Sequence, residues 1–192
     1  MHPHRYLPIT ASSATAPDTG TVARAGHRAT SAMLWLALFA SLAMPGARAT
    51  DVSVEIGPSW SGKSALGSTP AGFVQVTSDG AFTVLDDRFQ VNPVAIAGVV
   101  AGRGNGANRH DVWLAGAGVR ISRAAHGTHH WVWETHVFVS PNGTPSLCGH
   151  LQFGNSFGYV YGPWEVKARH LSNAGRHAPN HGETMLLVGY RF

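Results

Sequence analysis

Residues 164–172 read Trp164-Glu165-Val166-Lys167-Ala168-Arg169-His170-Leu171-Ser172, and their alternation decides the fold class. Successive side chains of an extended strand point to opposite faces. Trp164, Val166, Ala168, His170 and Ser172 therefore share one face, and Glu165, Lys167 and Arg169 share the other. In a barrel set in a bilayer, such a charged face lines the interior and the apolar face meets lipid.

The same period of two recurs to either side. Val52, Val54, Ile56, Pro58 and Trp60 alternate with Asp51, Ser53, Glu55, Gly57 and Ser59. Trp131, Trp133, Val137 and Val139 alternate with His130, Glu134 and His136, and Leu147, Leu151 and Phe153 with Cys148, His150 and Gln152. Leu186, Val188, Tyr190 and Phe192 form the last apolar face. Further strand-like segments lie near 71–77, 81–89, 92–102 and 110–122, separated by Gly, Asn, Pro and Ser clusters at 61–70, 102–108, 141–146 and 173–182. Eight or nine strands result, eight if 71–89 is one hairpin region with a short member. Each is about long enough to cross a bilayer when tilted.

Ahead of these strands, residues 24–49 read as a secretory signal. Arg24, His27 and Arg28 form a basic start, Ala32 to Met44 an apolar run, and Ala47-Arg48-Ala49 a cleavage site after Pro45-Gly46. The expected division is 1–49 as a signal peptide with an N-terminal extension and 50–192 as one barrel domain. No stretch after residue 50 has the 18 consecutive apolar residues of a membrane-crossing helix.

The net charge of +4 is misleading. Arg5, Arg24, Arg28 and Arg48 precede the predicted mature chain with a single acid, Asp18. The mature chain itself is nearly neutral and has no Lys/Arg run, which excludes a nucleic-acid footprint. Apolar residues make up 44%, which excludes a disordered chain. The lone Cys148 excludes an intramolecular disulfide and reads as a small buried or lipid-facing residue, since only His150 stands near it as an activator.

A soluble β-sandwich or lipocalin-like barrel would also alternate. Three features favour the membrane form. A signal precedes a chain without disulfides. Trp60, Trp113, Trp131, Trp133, Tyr159, Tyr161, Trp164 and Tyr190 sit at strand ends or on apolar faces, as an interfacial girdle would. The chain ends in a strand closed by Phe192, which resembles the C-terminal signature outer-membrane proteins present to their assembly machinery. The expected fold is an all-β, eight-stranded antiparallel transmembrane barrel of the bacterial outer membrane.

His170 and Ser172 then emerge on the lipid-facing wall, near the water interface. A histidine there is costly unless it is partnered or interfacial. Residues i and i+2 on a strand lie roughly 6.6–6.8 Å apart at Cα on the same side. Imidazole and hydroxyl can converge across that gap, as a base must to activate a weak nucleophile. Glu183, at the start of the next strand, is available to orient the imidazole.

The surrounding run is more specific than the pair. His170-Leu171-Ser172-Asn173-Ala174-Gly175, followed by Pro179-Asn180, Gly182 and Glu183, resembles the signature of the lipid A 3-O-deacylases, the PagL family. Weaker agreement covers the whole predicted mature chain: an early strand ending in Gly57, the segment Leu151-Gln152-Phe153-Gly154, and the aromatic terminus. The resemblance implies an eight-stranded outer-membrane barrel with its active site on the outer wall, acting on lipid A within lipopolysaccharide. It implies Ser172 as nucleophile, His170 as general base, Glu183 as orienting acid, and the Gly175 N–H and Asn180 side chain as oxyanion hole, without cofactor or metal. In some members the acid lies one residue further on, where this chain has Thr184. Counting back from Phe192, Glu183 falls on the face opposite Tyr190, so a bulge or the loop would have to aim it at His170.

Asn173 is expected to hold the turn after the strand. His177 and His181 read as exposed loop residues, and Arg176 as a candidate partner for a lipid phosphate. His126, His129 and His130 cluster without a carboxylate or Cys at metal-site spacing and read as a polar loop. Asn142-Gly143-Thr144 reads as a turn. Outer-membrane lipid is the expected surrounding, and pairing into a homodimer through the apolar wall is open, with no interface located. The rival readings are a non-catalytic structural or adhesin barrel, a barrel phospholipase or acyltransferase, and a soluble periplasmic β-protein.

Overall fold

The computed structural model describes residues 49–62, 67–79, 82–104, 108–124 and 127–192. Among the described residues nine strands follow one another: β1 (Ala49–Ser61), β2 (Ser68–Ser78), β3 (Phe82–Val84), β4 (Phe89–Val100), β5 (Val112–Arg123), β6 (His129–Val139), β7 (Leu151–Tyr161), β8 (Trp164–Ser172) and β9 (Glu183–Arg191). Neighbours pair antiparallel from β4 through β9. β1 pairs with both β2 and β9, and β2 pairs with β4, so the sheet closes on itself. β3 pairs with β4 outside that closed ring, and eight strands form the barrel. Closure leaves no open edge among these eight. The predicted strand at 81–89 shortens to β3. Leu85, Asp86 and Asp87 take positive φ values there and turn the chain back. Residues 1–48 of the predicted leader lie outside the described residues.

Burial alternates along every strand from β6 to β9 as the sequence pattern predicts. Most outward positions are apolar, and many are well exposed: Ile56 is 64% exposed and Trp131 59%. The inward positions carry charge. Glu55, Glu134 and Glu165 meet Arg120, Lys167 and Arg169 in one buried network. Three acids face three bases, so the network is neutral as a whole. An apolar outside around a polar, ion-paired inside inverts the soluble arrangement and is that of a transmembrane barrel.

The interior is filled. Above the ion pairs lies a cluster that includes Phe73, Ile96, Leu114, Phe138, Leu147, Leu171, Met185 and Leu187. Gly154 makes room for it, because a Cβ at that inward position would come within 2.7 Å of the Phe138 ring. Leu147, expected on a strand, belongs to the 140–150 connection and plugs this cluster from above. The barrel is therefore a packed wall that presents its chemistry outward.

The two ends differ. The short connections 124–128 and 162–163, the β2–β4 segment that carries β3, and both ends of the strand series mark one end. The longer connections 101–111, 140–150 and 173–182 mark the other. The second end carries the sequence-predicted site.

Candidate active site

β8 delivers His170 and Ser172 to the outer wall because strand alternation leaves no other choice. Leu171 between them is fully buried, His170 is exposed and Ser172 half-buried. Across the ladder His170 stands opposite Thr184 of β9, and Leu171 opposite Glu183. Register therefore decides which of the two neighbours can serve the imidazole. Nδ1 of His170 lies 3.0 Å from Oγ1 of Thr184.

Glu183 corrects the sequence expectation. Its side chain is 1% exposed and points into the barrel. There it accepts two hydrogen bonds from the Arg103 guanidinium, both at 2.7 Å, and one from the Ser59 hydroxyl at 2.6 Å. The bulge that would have turned it toward His170 is absent from the β8–β9 ladder, whose register runs unbroken. Glu183 closes the interior at its loop end, and Thr184 is the side chain beside the imidazole.

The connection 173–182 begins with a tight turn. The Arg176 N–H donates to the Asn173 carbonyl at 3.2 Å, and Ala174 and Gly175 between them both have positive φ. Two such residues in sequence are characteristic of a type I′ turn, whose second position favours glycine. The turn bond uses the Arg176 N–H, which leaves the Gly175 N–H outside it. The Ala174 N–H donates to Ser172 Oγ at 3.5 Å. Among the described residues no hydrogen bond joins His170 to Ser172. Catalytic pairs are often longer without substrate than with it.

Asn173 supports this connection, but through neighbours more than through its own turn. It is fully buried, and its Nδ2 donates to the carbonyls of Cys148 and His177 at 2.8 and 2.9 Å. The Asn173 N–H donates to Asn180 Oδ1 at 3.4 Å. With Oδ1 so engaged, Asn180 has Nδ2 as the end left to donate elsewhere. Further along, the His181 N–H donates to the Pro145 carbonyl, and the Gly62 N–H to the Gly182 carbonyl. The site connection is thus clasped by the 140–150 connection on one side and the end of β1 on the other. Cys148 is half-buried in that first clasp. His177 is exposed, as expected, and so is Arg176, while His181, expected to be exposed, is half-buried.

Gly182 forms the seat of the imidazole. Its φ is +66°, and a Cβ there would lie 2.8 Å from Cε1 of His170. Both the backbone conformation and the packing require glycine.

Sequence reading misses one feature of the wall. Along β1, β2, β4 and β5 the outward positions between the rims are Val, Ile, Pro, Trp, Gly or Ala. From β6 to β9 one row breaks that pattern. Thr135 stands opposite Asn155, Asn155 opposite His170, and His170 opposite Thr184. All four are exposed. Polar side chains gathered into one row on a lipid-facing surface have no structural need behind them. Their spacing along the chain carries no common signal, because hairpin register alone aligns them.

The remaining histidines disperse. His129 faces outward with its ring 4.3 Å from that of Tyr161, and His130, next on the strand, faces inward toward the Gly127 carbonyl. His126 lies outside the described residues. Asn142 is held by structure: its Oδ1 accepts from the Trp113 N–H at 3.3 Å.

No family model matches the chain, and no curated protein matches it. Among solved structures it is similar to the crystal structure of the outer membrane enzyme PagL, with a TM-score of 0.53 and 18% identity over 74% of this chain and 99% of that one. It is also similar to the backbone structure of the Yersinia pestis outer membrane protein Ail in a phospholipid bilayer nanodisc, with a TM-score of 0.39 and 12% identity over 74% and 99% of the two chains. At such identities the first likeness is one of fold.

Proposed function

We propose that this chain is a bacterial outer-membrane ester hydrolase that removes the 3-hydroxyacyl chain from the 3-position of lipid A, working from the outer wall of its barrel. The observation that carries the reading is the placement of His170, Ser172 and Thr184 together on a wall whose outward positions are mostly apolar. A lipid substrate reaches such a site by diffusing in the membrane plane. The apolar exterior supports insertion in a bilayer, and the long connections at the site's end support an outward-facing mouth, since small outer-membrane barrels keep their short turns toward the periplasm.

In this reading His170 takes the proton of Ser172 Oγ, which attacks the ester carbonyl. The oxyanion forms within reach of the Gly175 N–H and Asn180 Nδ2. His170 returns the proton to the departing sugar hydroxyl, leaving an acyl group on Ser172. Water, deprotonated by His170, then releases the fatty acid and restores the serine. Thr184 accepts from Nδ1–H and so holds the tautomer whose Nε2 can act as base. Exposed Arg176 is, in this reading, the candidate to pair with a lipid phosphate.

A second reading, a barrel that holds an acylated lipid without cleaving it, is favoured by the neutral partner of His170. One experiment separates the two. Lipid A from cells making this protein is compared by mass spectrometry with lipid A from cells making Ser172→Ala. Loss of one 3-hydroxyacyl chain with the native protein alone establishes the hydrolase. Unchanged lipid A in both, in membranes and in detergent extracts, overturns it in favour of the non-catalytic barrel.

A further inference from the structure

The polar row does not end at the pair that would do chemistry. It continues from His170 to Asn155 and Thr135, away from Thr184. Followed by way of β7, β6, β5, β4, β2 and β1, the ladder drops toward the turn end as it circles the barrel. Asn155 and Thr135 therefore lie progressively deeper than His170 along the wall. Deeper positions face hydrocarbon, where an amide or hydroxyl without a partner is more costly still.

We infer that Asn155, backed by Thr135, is a hydrogen-bonding subsite for a hydroxyl group carried on the acyl chain of the ester substrate. The inference rests on reading His170 and Ser172 as an ester-cleaving pair. Asn155 stands opposite His170, and Ser172 lies two residues beyond His170, so Asn155 and Ser172 are diagonal neighbours. Such neighbours sit about 7–8 Å apart, within reach of side chains that lean together. An acyl chain whose carbonyl meets Ser172 must run down the wall, because its tail belongs in the bilayer. Its first carbons then pass Asn155. A hydroxyl one or two carbons beyond the carbonyl falls between the two residues, where the Asn155 amide can both donate and accept. A plain acyl chain would leave that amide facing hydrocarbon. The subsite thus reads the chain next to the bond that breaks.

The test uses two lipids of equal length, one with a 3-hydroxyacyl ester and one with the plain acyl ester. Binding is measured on full-length Ser172→Ala protein in detergent micelles, with and without Asn155→Leu. Turnover of both lipids is measured on the native protein and on Asn155→Leu. An apolar replacement on a lipid-facing wall does not oppose folding, and heat-dependent gel mobility confirms the folded barrel. The hydroxylated lipid is expected to bind tighter by about fivefold to tenfold, as one hydrogen bond gives, and Asn155→Leu is expected to bring the ratio close to one. Thr135→Val should reduce the ratio less. An unchanged ratio in Asn155→Leu, or equal binding of both lipids by the Ser172→Ala protein, overturns the subsite. Absence of turnover by the native protein, with the binding preference intact, overturns the esterase reading and leaves the subsite standing.

Discussion

Nδ1 of His170 lies 3.0 Å from the hydroxyl oxygen of Thr184, directly across the β8–β9 ladder. A carboxylate in that place would orient the imidazole and also stabilise its charged form during the reaction. Threonine can do the first and not the second. Thr184→Glu is therefore expected to raise the rate of lipid A deacylation by about tenfold or more, since charge-assisted hydrogen bonds are roughly twice as strong as neutral ones. Thr184→Val should lower it by about fivefold, the equivalent of one ordinary hydrogen bond. Rates on purified protein in mixed micelles check both. A Thr184→Glu protein no faster than the native one would mean that imidazole charge does not limit turnover.

Glu183 is expected to matter for a different reason. Its carboxylate and the Arg103 guanidinium form a two-pronged ion pair inside the barrel, with side chains 1% and 4% exposed. Removing one partner strands the other. Glu183→Gln should destabilise the barrel by about 3 kcal/mol or more, in line with other buried pairs, and Arg103→Met in the same chain should recover part of the loss. Urea unfolding in lipid vesicles measures this. Deacylation per folded barrel should stay within about threefold of native. A loss on the order of 10⁴, the size expected on removal of a triad carboxylate, would instead restore Glu183 to the site.

The contrast between Thr184 and Glu183 shows what a sequence can carry. Strand alternation is legible from Trp164 to Ser172 because a period of two survives in any single strand, and it sends His170 outward and Glu165, Lys167 and Arg169 inward. Counting parity back from Phe192 already opposes Glu183 to the outer face, and the ladder agrees. The pull of Arg103 is not legible. That residue lies 80 positions away in a connection, and only barrel closure brings the two together. Asn155 escapes notice for a related reason, since its meaning depends on the strands beside it. The segment 81–89 reads as strand-like beyond the short β3, because the positive φ values at Leu85, Asp86 and Asp87 that end the strand leave no trace in the sequence pattern.

The outer wall makes a claim about solvent. Val188 of β9 stands between Ile56 of β1 and Val166 of β8, and all three are exposed. In a bilayer, Val188→Arg should destabilise the folded barrel by about 2–4 kcal/mol, the usual cost of arginine near the midplane of an outer-membrane barrel. In a water-soluble barrel the same exposed substitution would be nearly neutral. Unfolding of both proteins in phospholipid vesicles decides between them, and a difference below about 0.5 kcal/mol would sink the membrane reading.

Gly182 offers a test that leaves every reacting group in place. Its backbone has φ of +66°, and the His170 ring rests against the space where a side chain would begin. Alanine would bring a methyl group within 2.8 Å of Cε1, 3.2 Å of Nε2 and 3.1 Å of the Leu171 carbonyl oxygen. The carbonyl belongs to a paired strand and cannot retreat, whereas the ring is exposed and can. The expected result is a displaced imidazole in a barrel that still folds. Stability should fall by about 1 kcal/mol, from forcing a left-handed conformation on alanine. Deacylation should fall far more, by about a hundredfold, because small misplacements of a catalytic group cost that much. Thermal unfolding and lipid A mass spectrometry on the same preparation give the two numbers. If activity fell only in proportion to the folded fraction, the imidazole could not be held by its seat on Gly182, and the Thr184 hydrogen bond alone would have to position it.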